Sequence, residues 1–124
     1  MKISKKEFYY IKNRLNEEKN SYTVKVVSDS MEPAIKKDDF LEVETIDLGD
    51  LKPFDIVVFW QNNVLVCHCY WSKSGSRPEY IVTKSLKYRK HFDMEIEGDL
   101  LLGIVANKRI SFIDKCKFIL SRNT

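Results

Sequence analysis

Long apolar runs, paired cysteines and breaks in composition are all scarce in this sequence. The longest apolar runs, such as residues 56–60, have the length of a strand, far short of the roughly 20 residues that cross a bilayer. Residues 1–20 are rich in lysine and lack the apolar stretch of a secretory signal. No repeat, low-complexity tract or linker is present. These absences predict a soluble, cytoplasmic protein that contacts membranes at most peripherally.

Cysteine occurs three times, an odd number that does not suit a disulfide framework. Cys67 and Cys69 flank a single residue, so a strand would direct both thiols to the same face, which is poor geometry for a bridge. Zinc is also disfavoured, because the 67–69 segment and His91 match no finger or ribbon spacing. We therefore predict free thiols in a reducing compartment, and neither a metal nor another cofactor.

Neither sign of charge is in large excess. The chain has 21 Lys and Arg against 18 Asp and Glu, a net charge of +3, and because the two signs are interspersed no nucleic-acid partner is expected. The basic run at residues 84–90 has the composition to touch phosphates, but we interpret it as a solvated loop.

A hydrophobic content of 44% is ample for one core in 124 residues. We predict a single domain over residues 1–124.

The sequence pattern of the N-terminal part, residues 1–20, predicts a helix over residues 4–19. Its apolar residues Phe8, Ile11 and Leu15 recur at helical spacing. Ser4 followed by Glu7 matches a capping box, so the helix should begin just after Ser4. One such helix is too little for a helix-turn-helix reader of DNA.

Residues 22–109 predict short strands. The predicted strands are 22–27, 40–46, 56–60, 64–71, 79–84 and 100–107, and the continuous apolar run at 56–60 is typical of a strand buried on both faces. Asn62 and Asn63 predict a tight hairpin, because asparagine tolerates positive φ. Residues 72–78 have the composition of a loop. The expected fold is mainly β, a coiled or partly closed sheet with an N-terminal helix and a C-terminal helical tail.

The tail, residues 110–124, has apolar residues at roughly helical spacing. Packing of this helix on its own domain is the simplest expectation. The other interpretation is an amphipathic helix on a membrane surface, with Lys115, Lys117 and Arg122 directed outward. The sequence thus leaves a peripheral membrane contact open.

The strongest chemical signal lies in residues 27–33. Pro33 disfavours a helical conformation at Glu32, so the chain must turn just after Ser30. A serine at such a strand-to-turn corner displays its hydroxyl and its backbone N–H, the two groups that an acyl-transfer nucleophile needs. An ordinary serine-containing turn is the alternative.

His68 supplies the second signal. A serine hydroxyl needs an adjacent base, and a half-buried imidazole between the apolar neighbours Val66 and Tyr70 would remain neutral and able to accept a proton. A core histidine bonded to the backbone is the alternative for a single strand histidine.

Several segments together resemble a known family. Ser30-Met31-x-Pro33 is similar to the S-M-x-P signature of the serine peptidase clan that includes signal peptidases and the self-cleaving LexA-type repressors. Residues 38–43, 54–59, 83–84 and 99–105 resemble, in order, the clan's turn and strand after the signature, its G-D-I-V-V-F strand, its T-K-G-D turn and its L-x-G-x-V strand. The resemblance covers roughly residues 22–109 and implies a LexA/signal-peptidase-like fold.

The resemblance also implies roles for individual residues. Archaeal and endoplasmic-reticulum signal peptidases carry a histidine base in a V-H-R-V strand, and His68 falls at that position, with Asp93 as the carboxylate that would orient it. Ser28 would complete the oxyanion hole with the Ser30 amide, and Met31 and Pro33 would contact substrate.

Lys84 is the alternative base, because bacterial members use a buried lysine. We interpret it instead as a solvated lysine at the end of a strand.

The chain also departs from the family pattern. Asp38 and Phe54 stand where the family has turn glycines, Ser85 and Leu86 replace its Gly-Asp, and Cys69 replaces the arginine after the histidine. The last two changes lie close to the expected catalytic residues.

The resemblance implies a soluble serine endopeptidase that cleaves a leader or precursor peptide, bound as an extended strand with small side chains next to the cut. A membrane anchor and a DNA-binding half are not expected. The alternative is a catalytically inactive module that binds peptides.

Overall fold

The computed structural model describes residues 2–18, 21–26, 28–88 and 95–121. The helices are α1 (Lys5–Glu18) and α2 (Phe112–Ser121), and the strands are β1 (Tyr22–Lys25), β2 (Phe40–Glu44), β3 (Ile56–Gln61), β4 (Val64–Lys73), β5 (Tyr80–Lys84), β6 (Ile96–Glu97) and β7 (Leu101–Val105). Neither helix in these ranges is long and apolar enough to cross a membrane.

The strands form one seven-stranded antiparallel sheet in the order β1-β2-β7-β3-β4-β5-β6. No pairing joins the end strands β1 and β6 within the described ranges, so the sheet is open and is not a closed barrel. The predicted mainly β class with two flanking helices is confirmed. The short strand β6 was not predicted, because two residues are too few to show an alternating pattern.

β3 lies at the centre of the sheet, paired with β7 on one side and β4 on the other. Ile56–Phe59 is buried on both faces, as the continuous apolar run predicted. Val58 packs in a core cluster on one face, while Val57 and Phe59 pack in a second cluster on the other. The Asn62-Asn63 hairpin that leads into β4 has the predicted positive φ at both residues, 52° and 67°.

Two turns of the same construction precede β2 and β3. The third residue of each has a positive φ, 74° at Asp38 and 75° at Phe54, a region that favours glycine. The next residue, Asp39 or Asp55, accepts a hydrogen bond on its carboxylate from the backbone N–H three residues earlier, at 2.9 and 2.8 Å. The backbone at Asp38 and Phe54 therefore adopts a left-handed conformation that glycine accommodates most easily.

Gly103 in β7 is required by a close approach of the backbone. A Cβ at this position would lie 2.0 Å from the carbonyl oxygen of Glu44 in the neighbouring strand β2. Any side chain here would force β2 and β7 apart.

Both helices anchor in the first core cluster. At the start of α1, the Ser4 hydroxyl accepts a hydrogen bond from the Glu7 N–H and the Glu7 carboxylate accepts one from the Ser4 N–H, each at 3.1 Å, which confirms the capping box. Phe8 of α1 and Phe118 of α2 are fully buried in this cluster. The same core therefore fixes both ends of the described chain onto the sheet.

Candidate functional site

Ser30 stands at the corner where the chain leaves the sheet after β1. The Glu32 N–H donates a hydrogen bond to the Asp29 carbonyl at 3.1 Å, and the Ile35 N–H donates one to the Met31 carbonyl at 3.0 Å. The turn predicted just after Ser30 is therefore confirmed. Met31 is buried and holds the corner to the core, while Ser30 is half-buried at its surface.

Ser28 and the Ser30 amide lie side by side. The Ser30 N–H donates a hydrogen bond to the Ser28 hydroxyl oxygen at 3.1 Å. A hydroxyl that accepts a bond still has its own hydrogen to donate. An acyl oxygen bound at this corner would accept that hydrogen from Ser28, and the Ser30 amide would have to exchange its bond with Ser28 for one to the same oxygen.

The turn that follows β5 is bonded to this corner. The Lys87 N–H donates to the Ser30 carbonyl at 2.8 Å, and the Leu86 N–H lies 3.3 Å from the Met31 sulfur. The Lys87 ammonium also pairs with the Asp29 carboxylate at 2.5 Å. This bond holds the pKa of Asp29 below its ordinary value and the pKa of Lys87 above its own.

The loop expected at residues 84–90 is solvated only in part. Lys87 and Tyr88 are exposed, but Lys84, Ser85 and Leu86 are buried. The prediction of a solvated run is wrong for these three residues, because the sheet and the Ser30 corner cover them.

A cavity of about 490 Å³ separates the Ser30 corner from β4. Its lining residues are Val24, Lys25, Val26, Ser28, Ser30, Met31 and Ile35 from β1 and the segment after it, Leu41 and Val58 from β2 and β3, Val64, Leu65, Val66, Cys67 and His68 from β4, and Ser85 and Tyr88 from the turn after β5. The walls are mostly apolar, with a few polar side chains. Ser30, Ser28 and His68, chosen from the sequence, thus line one cavity.

His68 is half-buried on β4, opposite Val57 of β3. Its ring packs edge-to-face on Phe59, with 5.7 Å between ring centroids and 71° between planes. This contact fixes the imidazole and shields one side of it from water.

Two strand edges border the cavity. β5 pairs with β4 only from Cys69 onward, so the described ladder between these strands does not extend along Leu65 to Cys67. β1 is an end strand of the sheet, and its residues Val24 and Lys25 line the cavity from the other side. Backbone on such edges is a template for an extended peptide.

Lys84 is not the solvated residue that the sequence predicted. It is 1% exposed, pairs opposite Cys69 across the β5–β4 ladder, and its ammonium nitrogen lies 4.8 Å from the centre of the Trp71 ring. The prediction is wrong because the strand register turns this side chain into the core. Lys84 does not line the cavity, whereas its neighbour Ser85 does.

Of the other predicted site residues, the structure brings one to the cavity. Met31 lines the cavity, whereas Pro33 is exposed and does not. Asp93 and His91 lie outside the described residues. No group of three or more potential metal-ligating side chains occurs in the part of the chain that the structure covers.

Cys67, Ser85 and Tyr88 line the cavity but were not predicted as site residues. Cys67 shares a strand with His68, which is the one local signal that pointed to it. Burial, and to a lesser extent the neighbouring Cys69, raises the pKa of the Cys67 thiol to about 12. All three cysteines are unbridged, as predicted. At neutral pH Cys67 is therefore a neutral, largely apolar part of the wall and not a thiolate nucleophile.

The sequence was also compared with known proteins. No protein-family model matches it, and no curated protein matches it significantly.

Proposed function

We propose that this chain is a serine endopeptidase of the signal-peptidase and LexA kind, with Ser30 as nucleophile and His68 as general base. The observation that carries the proposal is that Ser30 and His68, far apart in sequence, line the same cavity. The left-handed backbone at Asp38 and Phe54 supports the family resemblance, because it gives a physical reason for the family's glycines at these positions. The specific LexA-like fold is part of the proposal.

The proposed reaction has two stages. The Ser30 hydroxyl oxygen attacks the scissile carbonyl carbon while His68 takes the hydroxyl proton, and His68 then gives that proton to the leaving amine as the C–N bond breaks. Water, deprotonated by His68, hydrolyses the ester and restores the serine. Ser28 and the Ser30 amide hold the negative oxygen in both stages, and each such donor is typically worth about 3–4 kcal/mol of transition-state stabilisation.

The proposed substrate is a leader or precursor peptide bound in extended form. Residues 65–67 of β4 and the end strand β1 offer backbone donors and acceptors on both sides of the cavity. The apolar walls, with Val58, Leu65 and Cys67 among them, would receive alternate side chains of that strand. A volume of about 490 Å³ leaves room for side chains larger than the small ones that relatives prefer.

His68 is a better candidate for the base than Lys84. His68 lines the cavity with Ser30, whereas Lys84 lies against Trp71 in the core. Burial in general favours the neutral form of an amine, which can accept a proton. For this reason the experiment includes a Lys84 variant.

The experiment is cleavage of a peptide library by the wild type and by Ser30→Ala, His68→Ala and Lys84→Met variants, with product masses as readout. Ser76→Ala, a serine on the exposed loop after β4, is the matched control. We expect Ser30→Ala and His68→Ala each to lower turnover at least about a thousandfold, while Ser76→Ala keeps full activity. Turnover that persists in His68→Ala and disappears in folded Lys84→Met would transfer the base role to the lysine.

A peptide-binding module without catalysis is the second candidate. It is favoured by one observation: the Ser30 amide already donates its hydrogen bond to the Ser28 hydroxyl. Peptides that bind the wild type and Ser30→Ala equally, with no cleavage by either, would support the module over the peptidase.

A further inference from the structure

Helix α2 has two different faces. Phe118 is fully buried against Phe54 and Trp71, with ring centroids 6.0 and 6.1 Å apart. The large apolar residues on its other side are exposed: Phe112 by 80%, Ile113 by 67%, Ile119 by 47% and Leu120 by 77%. The outer face of α2 is therefore an apolar surface that the described residues leave open.

The exposed residues form one narrow stripe. At 100° per residue, Phe112, Ile113, Ile119 and Leu120 fall within an arc of about 120° around the helix axis. Lys115 and Lys117 each lie about 40° beyond one margin of this arc. The stripe is therefore flanked by a lysine on each side.

The charge on α2 is also segregated. Its single carboxylate, Asp114, is buried on the inner side, where Lys117 reaches it at 3.6 Å. The Lys115 ammonium lies 5.5 Å from the centre of the Phe54 ring. The outer face of α2 therefore carries no carboxylate, and Lys117, although paired with Asp114, keeps 44% of its side chain exposed.

We infer that this face of α2 lies in the surface of an anionic lipid bilayer. An apolar stripe with lysines on both margins fits the boundary between acyl chains and phosphate groups, because the stripe enters the chains while the long lysine side chains turn outward to the phosphates on binding. A protein partner fits less well. A second copy of this helix would bring four lysines of the same sign together, which disfavours association, whereas lipid phosphates carry the opposite charge. This inference does not depend on the proposed peptidase activity.

The test is sedimentation of the purified chain with lipid vesicles, either of phosphatidylcholine alone or of equal parts phosphatidylcholine and phosphatidylglycerol. We expect binding to the anionic vesicles, weakened by added salt, and at least about tenfold weaker binding to the neutral ones. Phe112→Ser/Leu120→Ser and Lys115→Gln/Lys117→Gln should each lower binding to anionic vesicles at least about tenfold.

Matched controls come from α1, where Tyr10 is similarly exposed and Lys5 and Lys6 are both exposed. Tyr10→Ser and Lys5→Gln/Lys6→Gln should bind as the wild type does, and circular dichroism should show that all variants are folded. Equal binding by the wild type and the α2 variants, or no binding to anionic vesicles, would overturn the inference. So would a dimer, seen by analytical ultracentrifugation, that Phe112→Ser/Leu120→Ser dissociates.

Discussion

The backbone amide of Lys87 donates a hydrogen bond to the carbonyl of Ser30 at 2.8 Å. This bond ties the turn after β5 to the corner that displays the proposed nucleophile. The same turn supplies Ser85 and Tyr88 to the cavity wall. The position of Ser30 therefore depends on residues far along the chain as well as on its own turn.

The ion pair between Lys87 and Asp29 predicts an altered titration. The hydrogen bond from Lys87 lowers the pKa of Asp29, so the pair stabilises the corner above the ordinary pKa of an aspartate, and this contribution is lost as the pH falls through the lowered value. In NMR titrations, Lys87→Gln should raise the Asp29 midpoint toward the ordinary value, while Lys6→Gln leaves it in place. An unchanged midpoint in Lys87→Gln would show that the pair does not form in solution.

The left-handed conformation of Asp38 predicts that glycine stabilises this position. Asp38→Gly should raise the free energy of unfolding by about 1 kcal/mol, because glycine adopts φ near +74° without a Cβ clash. The exposed pair that Asp38 forms with Lys25 at 3.7 Å is worth little by comparison. Chemical denaturation measures the change.

Asp47 is the matched control, since its φ of −79° is ordinary. Asp47→Gly should lower the free energy of unfolding by up to about 1 kcal/mol. A loss of stability in both variants would contradict the turn geometry at Asp38.

At Gly103 even the smallest side chain, a methyl group, should strongly lower the stability of the fold. Gly103→Ala places a Cβ 2.0 Å from the Glu44 carbonyl oxygen and should destabilise the protein by about 3 kcal/mol or more, since two backbones must separate. At Gly75 no atom lies within 4 Å of the position that a Cβ would take, so Gly75→Ala should be close to neutral. Thermal melts of the two variants compare them directly, and similar melting temperatures would refute the close approach of β2 and β7.

The cysteines predict selective labelling by iodoacetamide. Burial raises the pKa values of Cys67 and Cys69 to about 12, so at pH 8 only about one in ten thousand of these thiols is ionised. In the native protein, half-buried Cys116 should react first, and native Cys116→Ser should remain almost unlabelled. Peptide mass spectrometry identifies the modified residue, and rapid labelling of Cys67 would contradict the raised pKa of its thiol.

The sequence predicted the local features of the fold well. The Ser4–Glu7 capping box, the Asn62-Asn63 hairpin and the turn after Ser30 depend on residues close together in the chain, and all three are present. The central strand β3 was also predicted, because its continuous apolar run is a local pattern.

Features that depend on long-range register were less predictable. Lys84 has the sequence context of a solvated residue, and only its pairing opposite Cys69 and its contact with Trp71 reveal that it is buried. Ser85 and Tyr88 enter the cavity wall because the turn after β5 meets the Ser30 corner, a contact with no local signature. The cavity itself exists only because the segment after β1 lies over β4.

The most direct test of the central claim is the rate at which a fluorophosphonate modifies Ser30, followed by intact mass and peptide mapping. The wild type should gain one adduct, located on Ser30, and Ser30→Ala should gain none. If His68 is the base, His68→Ala should react at least about a hundredfold more slowly while remaining folded. An adduct on another residue, or equal rates in the wild type and His68→Ala, would contradict the assignment of these two residues.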